Sequence, residues 1–293
     1  MGKIITTNIL VACLISLIIQ SPVVAATPVK FTLVRNYLIV TTVTIPEAGA
    51  CEFLLDTGSN TTVLDKGFAH QLGLQPIDRV QLVTTVGTQV VPRAKLARLT
   101  LGDRTADNLE VIYSDLREVR AVLPKVKGIL GQNFLAQFNY LIDYSNHRIQ
   151  FVDQPDERWC GAQFPFSQAE GKMLIQIKSN LHFMLDSAIA DLLLFDADRK
   201  KHELGRVDEL SRPMNLQSAL GNQVIWQATI RTFQIGAILF KNLPITFLPQ
   251  RPEDEGRIEN GLLPMSLFES IYVNNHQGYV IFNPLTKTTT VNQ

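Results

Sequence analysis

The sequence predicts an all-β protein of two similar halves, because it contains many short strand-like runs, few helical segments and an internal repeat. β-branched and apolar residues alternate with polar ones after residue 29, and turns rich in Gly, Asp or Asn separate the runs. The predicted strands include residues 29–44, 53–55, 80–85, 89–91, 97–101 and 109–113. Only residues 66–72 and 132–138 have a helical pattern, so β-sheet is the predicted scaffold.

An internal repeat relates the two halves. Four pairs of segments match in the same order at a near-constant offset of about 130 residues. The pairs are residues 53–58 with 183–188, 86–90 with 220–224, 128–131 with 261–264, and 148–151 with 279–282. The repeat predicts an N-terminal lobe at 27–152 and a C-terminal lobe with a degenerate motif at 172–293, joined by a linker at 153–171.

Residues 1–26 have the pattern of a secretory signal peptide. Lys3 gives a short positive start, an apolar run follows at 9–19, and small residues precede a predicted cleavage site near Ala25 or Ala26. The apolar run is short for a membrane span, which needs about 20 residues. The chain is therefore expected to be exported, either periplasmic or secreted, with membrane anchoring by an uncleaved N-terminus as the alternative.

Charge and motif content argue against several function classes. The 27 Lys and Arg residues balance 27 Asp and Glu residues, so no overall charge favours nucleic acid. None of the five histidines lies in a metal-binding spacing, and no nucleotide-binding fingerprint or serine-hydrolase motif occurs. No metal, organic cofactor or nucleic acid is therefore expected. Cys51 and Cys160 remain after signal cleavage, and the sequence is equally compatible with a disulfide and with two free thiols.

A candidate catalytic loop follows a short apolar strand. Residues 53–55 are apolar, and Asp56-Thr57-Gly58-Ser59 comes directly after them. The Gly lets backbone amides approach the carboxylate, and such amides favour its charged form and lower its pKa. The Ser59 hydroxyl is expected to add a bond to the outer carboxylate oxygen. An Asp-Gly turn alone is usually structural, so the assignment depends on its context.

Two further motifs supply that context. A hairpin is predicted around Gly87, and the apolar pair in Gly128-Ile129-Leu130-Gly131 can pass behind the Asp loop as a buried strand. This order of loop, hairpin and strand resembles a lobe of the pepsin and retropepsin families of aspartic proteases. Through the repeat, the resemblance covers nearly all of the chain after residue 26. The short lobes are most similar to a duplicated, compact bacterial relative.

The resemblance implies a bilobal acid-protease fold, with two β-barrel-like lobes related by a pseudo-twofold axis around a central cleft. It implies that Asp56 and Asp186 form a dyad that activates water to cleave an extended peptide. The implied supporting residues are Thr57, Gly58, Ser59, Ser187 and Ala188 in the catalytic loops, and Val86, Gly87, Thr88 and Gly221 in the hairpins that cover the substrate. The implied partner is a peptide or protein substrate, with a monomer expected and a homodimer left open.

The second copy departs from the family pattern at three positions. Ala188 replaces the Gly and is expected to crowd the loop, at a cost of about 1 kcal/mol if the position needs a positive φ. Ile189 replaces Ser59, which should make that side of the dyad less acidic and the pH optimum mildly acidic. Pro264 replaces the second Gly of the apolar pair and removes a backbone donor. Two alternatives to a working dyad stay open: a homodimeric protease that uses only Asp56, and an inactive peptide-binding pseudoprotease.

Overall fold

The computed structural model describes residues 27–84, 87–178, 181–195, 207–218, 221–248 and 257–285, with the backbone path alone at 178, 207–218 and 221–224. The predicted signal peptide and Val86 lie outside these ranges. Strands dominate the described chain, which confirms the predicted all-β, acid-protease fold class. No helix in the described ranges has the length and apolar character needed to cross a membrane.

Within the ranges that the structure describes, the first half of the chain contains ten strands and three short helices. The strands are β1 (Val29–Val34), β2 (Leu38–Ile45), β3 (Gly49–Leu55), β4 (Thr62–Asp65), β5 (Asp78–Val83), β6 (Thr88–Leu101), β7 (Arg104–Ser114), β8 (Gly128–Leu130), β9 (Tyr140–Asp143) and β10 (Arg148–Phe151). The helices are α1 (Lys66–Gln71), α2 (Arg117–Val122) and α3 (Gln132–Leu135).

The described residues of the second half contain ten further strands and a 3-10 helix at Met265–Leu267. The strands are β11 (Ala162–Ala169), β12 (Lys172–Lys178), β13 (Leu181–Asp186), β14 (Leu192–Leu194), β15 (Val207–Ser218), β16 (Gly221–Ile235), β17 (Ile238–Phe247), β18 (Gly261–Pro264), β19 (Ser270–Asn274) and β20 (Tyr279–Phe282).

The two halves pair their strands in the same pattern. In the first half β3 runs parallel to β8, β8 is antiparallel to β4, and β4 runs parallel to β7. In the second half β13, β18, β14 and β17 repeat these three pairings in the same order and sense. The antiparallel pairs β5–β6 and β6–β7 likewise have counterparts in β15–β16 and β16–β17. The internal repeat in the sequence therefore corresponds to a repeat in strand topology.

One antiparallel sheet contains strands from both halves, in the order β1, β10, β9, β19, β20, β11. At its centre β9 pairs with β19, with Asp143 opposite Ser270 and Tyr140 opposite Val273. β1 and β11 each also pair with a second strand of their own half, β2 and β12 respectively. This shared sheet joins the halves through backbone hydrogen bonds as well as side-chain packing.

The structure differs from the predicted elements in several places. The run predicted at 29–44 is two strands, β1 and β2, with a turn at residues 35–37 between them. The runs predicted at 89–91 and 97–101 are one continuous strand, β6, which passes through Pro92. Pro92 pairs with β5 alone, since the pairing of β6 with β7 begins only at Arg93, so the missing N–H is tolerated. α2 has no counterpart among the predicted helices. β11 lies inside the predicted linker and changes partner from β20 to β12 between Pro165 and Phe166.

Candidate active site

The two candidate Asp loops begin where equivalent strands end. Asp56 directly follows β3, and its amide donates to the carbonyl of Leu130 in β8 at 3.0 Å. Asp186 is the last residue of β13, opposite Pro264 of β18. Both carboxylates are therefore positioned by the end of a buried strand that runs parallel to a second buried strand.

Four reciprocal hydrogen bonds, here called the interloop bonds, join the two loops. The Thr57 hydroxyl donates to the Leu185 carbonyl at 2.9 Å and accepts from the Ser187 amide at 3.0 Å. The Ser187 hydroxyl donates to the Leu55 carbonyl at 3.0 Å and accepts from the Thr57 amide at 3.0 Å. Thr57 and Ser187 are fully buried, so these bonds hold the two loops together without competition from water.

Each carboxylate accepts a hydrogen bond from the amide two residues later. The Gly58 amide donates to Asp56 Oδ1 at 2.9 Å, and the Ala188 amide donates to Asp186 Oδ1 at 2.7 Å. The substitution of Ala for Gly therefore leaves this bond in place. Asp186 is only 6% exposed, whereas Asp56 is half-buried, so the two carboxylates have unequal access to solvent.

Burial raises the pKa of both carboxyl groups. It raises the pKa of Asp56 to about 6, although the amides of Gly58 and Ser59 oppose the shift. Burial also raises the pKa of Asp186 well above its usual value, the negative charge of Asp56 raises it further, and the Ala188 amide opposes the shift. Two carboxylates that interact this closely titrate as a pair, and together they favour a state with one shared proton.

This shift predicts how stability changes with pH. Because the folded pKa of Asp56 lies above the unfolded value of 3.8, the folded state binds its proton more tightly, and the free energy of unfolding falls as pH rises from about 4 through 6. Asp56→Asn should therefore be more stable than wild type at pH 7.5, by up to about 3 kcal/mol, and gain little at pH 4. Urea unfolding of both proteins at both pH values measures this, and an equal difference at the two values would refute it.

Gly58 lies against the carboxylate of the opposite loop. A Cβ atom built on Gly58 would lie 2.6 Å from Asp186 Cγ and closer still to Oδ2. The φ angle of Gly58 is not in the left-handed region. Close approach to Asp186, and not backbone conformation, therefore requires a glycine at this position.

Gly58→Ala should displace Asp186 and destabilise the protein by about 1–3 kcal/mol, the usual cost of overpacking. Ala188→Gly is the matched control, because it removes a methyl group from the equivalent position of the other loop, and it should cost about 1 kcal/mol or less. Thermal unfolding of the two variants measures both effects. Equal and small effects would show that the Gly58 contact is easily relieved.

The structure corrects two expectations about the loops. The Ser59 hydroxyl donates to the Thr61 carbonyl at 2.8 Å and not to the Asp56 carboxylate, because the tight turn brings that carbonyl within its reach. Ala188 has no positive φ, so the expected backbone strain is absent, and its methyl group packs against an apolar cluster of the first half that includes Leu54 and Ile129.

The second copy also departs from the first at Ile189 and Pro264, and both substitutions change the contacts of the second loop. Ile189 packs against an apolar cluster of the second half that includes Met184 and Leu262. In the first half the amide of Gly131 donates to the Thr62 hydroxyl at 3.2 Å, and Pro264 has no N–H with which to repeat that bond. The second loop is thus held more by apolar packing and less by hydrogen bonds than the first.

The hairpin predicted around Gly87 is formed by β5 and β6. The Thr84 amide donates to the Gly87 carbonyl at 2.8 Å across the turn, and Thr88 begins β6. Leu82 of this hairpin packs against the same apolar cluster as Ala188, so the hairpin lies beside the Asp loops. Gly221 begins β16 in the equivalent hairpin, where it pairs with Ser218.

Two buried side chains that sequence reasoning did not assign support Thr57. Gln132, at the start of α3, is 3% exposed and donates from Nε2 to the Thr57 carbonyl at 3.1 Å. The sulfur of Met265, at the equivalent position of the second half, lies 3.2 Å from the Thr57 hydroxyl. The sequence signal for Gln132 was its position directly after the Gly128–Gly131 motif. That position does not show that its side chain reaches the Thr57 carbonyl, because the contact depends on the folded loop.

The described residues also bear on the two cysteines and on metal binding. Cys51 is buried and Cys160 is exposed, and both are free, so the disulfide alternative is wrong. Among the described residues, no group of three or more His, Cys, Asp or Glu side chains is arranged to hold a metal ion.

Comparison with known proteins agrees with this geometry. Residues 41–134 match the model of a family described as aspartyl protease. The matched segment contains the Asp56 loop, the hairpin and the Gly128–Gly131 motif, and it supports an aspartyl protease assignment for the first half. No curated protein matches the chain.

Proposed function

We propose that the protein is an aspartic endopeptidase that cleaves extended peptides, with Asp56 and Asp186 as its catalytic dyad. The observation that carries this proposal is the set of four interloop bonds, because they hold the two Asp loops together at their bases. The aspartyl protease match to residues 41–134 supports the same reaction class.

The two carboxyl groups are assigned unequal roles. Asp56 is less buried, and the nearby amides of Gly58 and Ser59 both favour its charged form, so it is the better site for the negative charge. Asp186 is more buried, accepts from one amide and faces the charge of Asp56, so it retains the shared proton. In the proposed resting state Asp56 is ionised and Asp186 is protonated.

The proposed reaction needs no covalent enzyme intermediate. Asp56 removes a proton from a water molecule, whose oxygen attacks the scissile carbonyl carbon while Asp186 hydrogen-bonds the carbonyl oxygen. The carbon then carries two oxygens and the peptide nitrogen. Transfer of the proton from Asp56 to that nitrogen breaks the C–N bond and releases an amine, and the carbon fragment leaves as a carboxylic acid.

The hairpin formed by β5 and β6 is proposed to cover the bound peptide. Support comes from Leu82, which packs in the apolar cluster that also contacts Ala188 beside Asp186. An extended peptide suits a site between two β-rich halves, because strands and hairpins offer backbone hydrogen bonds along its length. The predicted export of the chain would give this activity a periplasmic or secreted setting.

A single chain is proposed as the active unit. In the alternative homodimer, two Asp56 loops would face each other, and the second half would be only a scaffold. That arrangement is disfavoured because Ser187 already fills the position opposite Thr57 and β19 already pairs with β9. The inactive pseudoprotease is disfavoured because the Ala188 amide still donates to Asp186 and the loop has no backbone strain.

The direct test is cleavage of a mixed peptide library by the purified chain starting at residue 27, between pH 3 and 7. We expect endoproteolytic products with a mildly acidic optimum and none from Asp56→Asn. Monomer and dimer fractions from size exclusion are assayed separately, and activity should follow the monomer. An optimum near pH 2, a flat profile across neutral pH or no cleavage by any fraction would contradict the proposal.

A further inference from the structure

The start of α3 holds three backbone carbonyls of the first Asp loop. The Gln132 amide donates to the Ser59 carbonyl at 2.7 Å, and the Asn133 amide donates to the Asn60 carbonyl at 3.1 Å. The third bond comes from a side chain, since Gln132 Nε2 donates to the Thr57 carbonyl at 3.1 Å. Gln132 is only 3% exposed, so water competes little for this last bond.

The Thr57 carbonyl belongs to the same peptide group as the Gly58 amide. This peptide group is trans and planar, so its C=O and N–H bonds point in opposite directions and turn together. The Gly58 amide donates to Asp56 Oδ1 at 2.9 Å. Gln132 therefore holds one end of a peptide group whose other end bonds the Asp56 carboxylate.

The second Asp loop has a different residue at the equivalent position. The Ser187–Ala188 peptide group likewise directs an amide at Asp186 Oδ1, at 2.7 Å. Where the first half has Gln132, however, the second half has Met265, and a thioether cannot donate a hydrogen bond to the Ser187 carbonyl. The two halves thus support equivalent peptide groups unequally.

We propose that Gln132 is a positioning residue for Asp56. By holding the Thr57 carbonyl, it keeps the Gly58 amide directed at the Asp56 carboxylate. A carbonyl that accepts a hydrogen bond also polarises its own peptide group, which makes the N–H of that group a better donor. The negative charge of the dyad is thereby favoured on Asp56 over Asp186. This inference rests on the proposed function, because it assigns the residue that fixes the charge distribution of the proposed dyad.

Loss of the Gln132 side-chain donor should raise the pKa of Asp56. A hydrogen bond to an ionised carboxylate lowers its pKa, so a Gly58 amide that is no longer held in place leaves that pKa higher. The dyad then loses its first proton at higher pH. The acidic limb of the kcat/KM profile should therefore move to higher pH.

The other titratable groups around the loops should not produce this shift. Asp186 faces Asp56 from the opposite loop and is the same in the variant and in wild type. The Tyr140 and Tyr144 hydroxyls are buried, and burial raises the pKa of both, so they stay neutral throughout the assay range. A shift of the acidic limb therefore reports on the Asp pair.

The test compares Gln132→Met with Gln137→Met as the matched control. Met is close to Gln in shape and already occupies the equivalent position of the second half, so the variant should fold. Gln137 is exposed, and its Nε2 donates to the Asn133 carbonyl at 2.7 Å, within the α3 turn itself. For Gln132→Met we expect the acidic limb of kcat/KM to rise by about half a pH unit. Its kcat should fall by about tenfold with little change in KM, because Gln132 does not touch the peptide. The control should leave all three quantities unchanged.

Titration of the Asp56 carboxyl carbon by NMR of isotope-labelled protein provides a readout that needs no activity. The signal is assigned by comparison with Asp56→Asn. Its titration midpoint should lie at higher pH in Gln132→Met than in wild type and in the Gln137→Met control. Gln132→Leu removes the same donor with a different shape, so it should give the same upward shift.

An unchanged NMR midpoint in the two folded Gln132 variants would overturn the positioning role. A fall in kcat without movement of the acidic limb would count against it equally. Failure of both variants to fold would also overturn it, because Gln132 would then be a structural residue. Absence of cleavage by wild type would overturn the proposed function, and the NMR titration would still decide whether Gln132 acts on Asp56.

Discussion

Asp186→Asn is expected to lower kcat/KM by about 10³-fold or more, with little loss of folded protein. The substitution keeps the shape of the side chain and its acceptor oxygen for the Ala188 amide, but it removes the acidic proton that hydrogen-bonds the scissile carbonyl. Because the raised pKa of Asp186 makes the wild type take up a proton on folding at pH 7.5, at a free-energy cost that Asn does not have, the variant should be at least as stable as wild type at that pH. Steady-state cleavage of a peptide found in the library assay measures the first effect, and urea unfolding measures the second.

Asp191→Asn is the matched control for this variant. Asp191 lies on the same loop, and its carboxylate accepts from Gln227 Nε2 at 2.6 Å instead of facing Asp56. The control should retain most of the wild-type activity. If Asp186→Asn were as active as the control, a dyad in one chain would be excluded, and Asp56 would have to act alone or with the Asp56 of a second chain.

Thr57→Val is expected to destabilise the protein by about 2–4 kcal/mol. Valine has nearly the same shape, but it leaves the Leu185 carbonyl and the Ser187 amide without partners in a site that water does not reach. The two halves should also shift at the loops, so activity should fall even at temperatures where the variant is folded. Urea unfolding together with kcat/KM at low temperature separates the two effects.

Thr41→Val is the matched control for Thr57→Val. Thr41 is also buried, in β2, but its hydroxyl has no hydrogen-bond partner among the described residues. The same substitution there should be neutral or stabilising. A double-mutant cycle of Thr57→Val with Ser187→Ala adds a second check, since the two effects should be strongly non-additive. Equal costs at positions 57 and 41 would mean that the interloop bonds contribute little.

Local sequence was enough to predict the parts of the site that depend on short motifs. Residues 53–58 and 183–188 share a pattern of apolar strand residues followed by Asp. The end of the strand determines where that Asp lies, so local sequence was sufficient to predict its position. The hairpin around Gly87 was predictable for the same reason. The order of these motifs, together with their repeat, then predicted the all-β fold class.

Features that depend on contacts between distant segments were not predictable. The Ser59 hydroxyl could reach either Asp56 or a carbonyl of its own turn, and only the folded loop selects Thr61. α2 is six residues long and packs Val119 and Val122 against the first-half cluster, so tertiary contacts specify it more than its own sequence pattern. Gly58 resembled a turn residue, but the constraint on it comes from Asp186, 128 positions away.

Because the two halves belong to one chain and are joined through β9 and β19, the proposed site can distinguish the two orientations of a bound peptide. Two identical chains would present identical loops, and a peptide could enter such a site in either direction. Here one loop has Gly58 and the other Ala188, and Thr57 is supported by Gln132 on one side and by Met265 on the other. A peptide has a direction from N- to C-terminus, and a site with unequal sides can distinguish the two orientations. We therefore expect each substrate to bind in a single orientation, with different side-chain preferences before and after the cleaved bond.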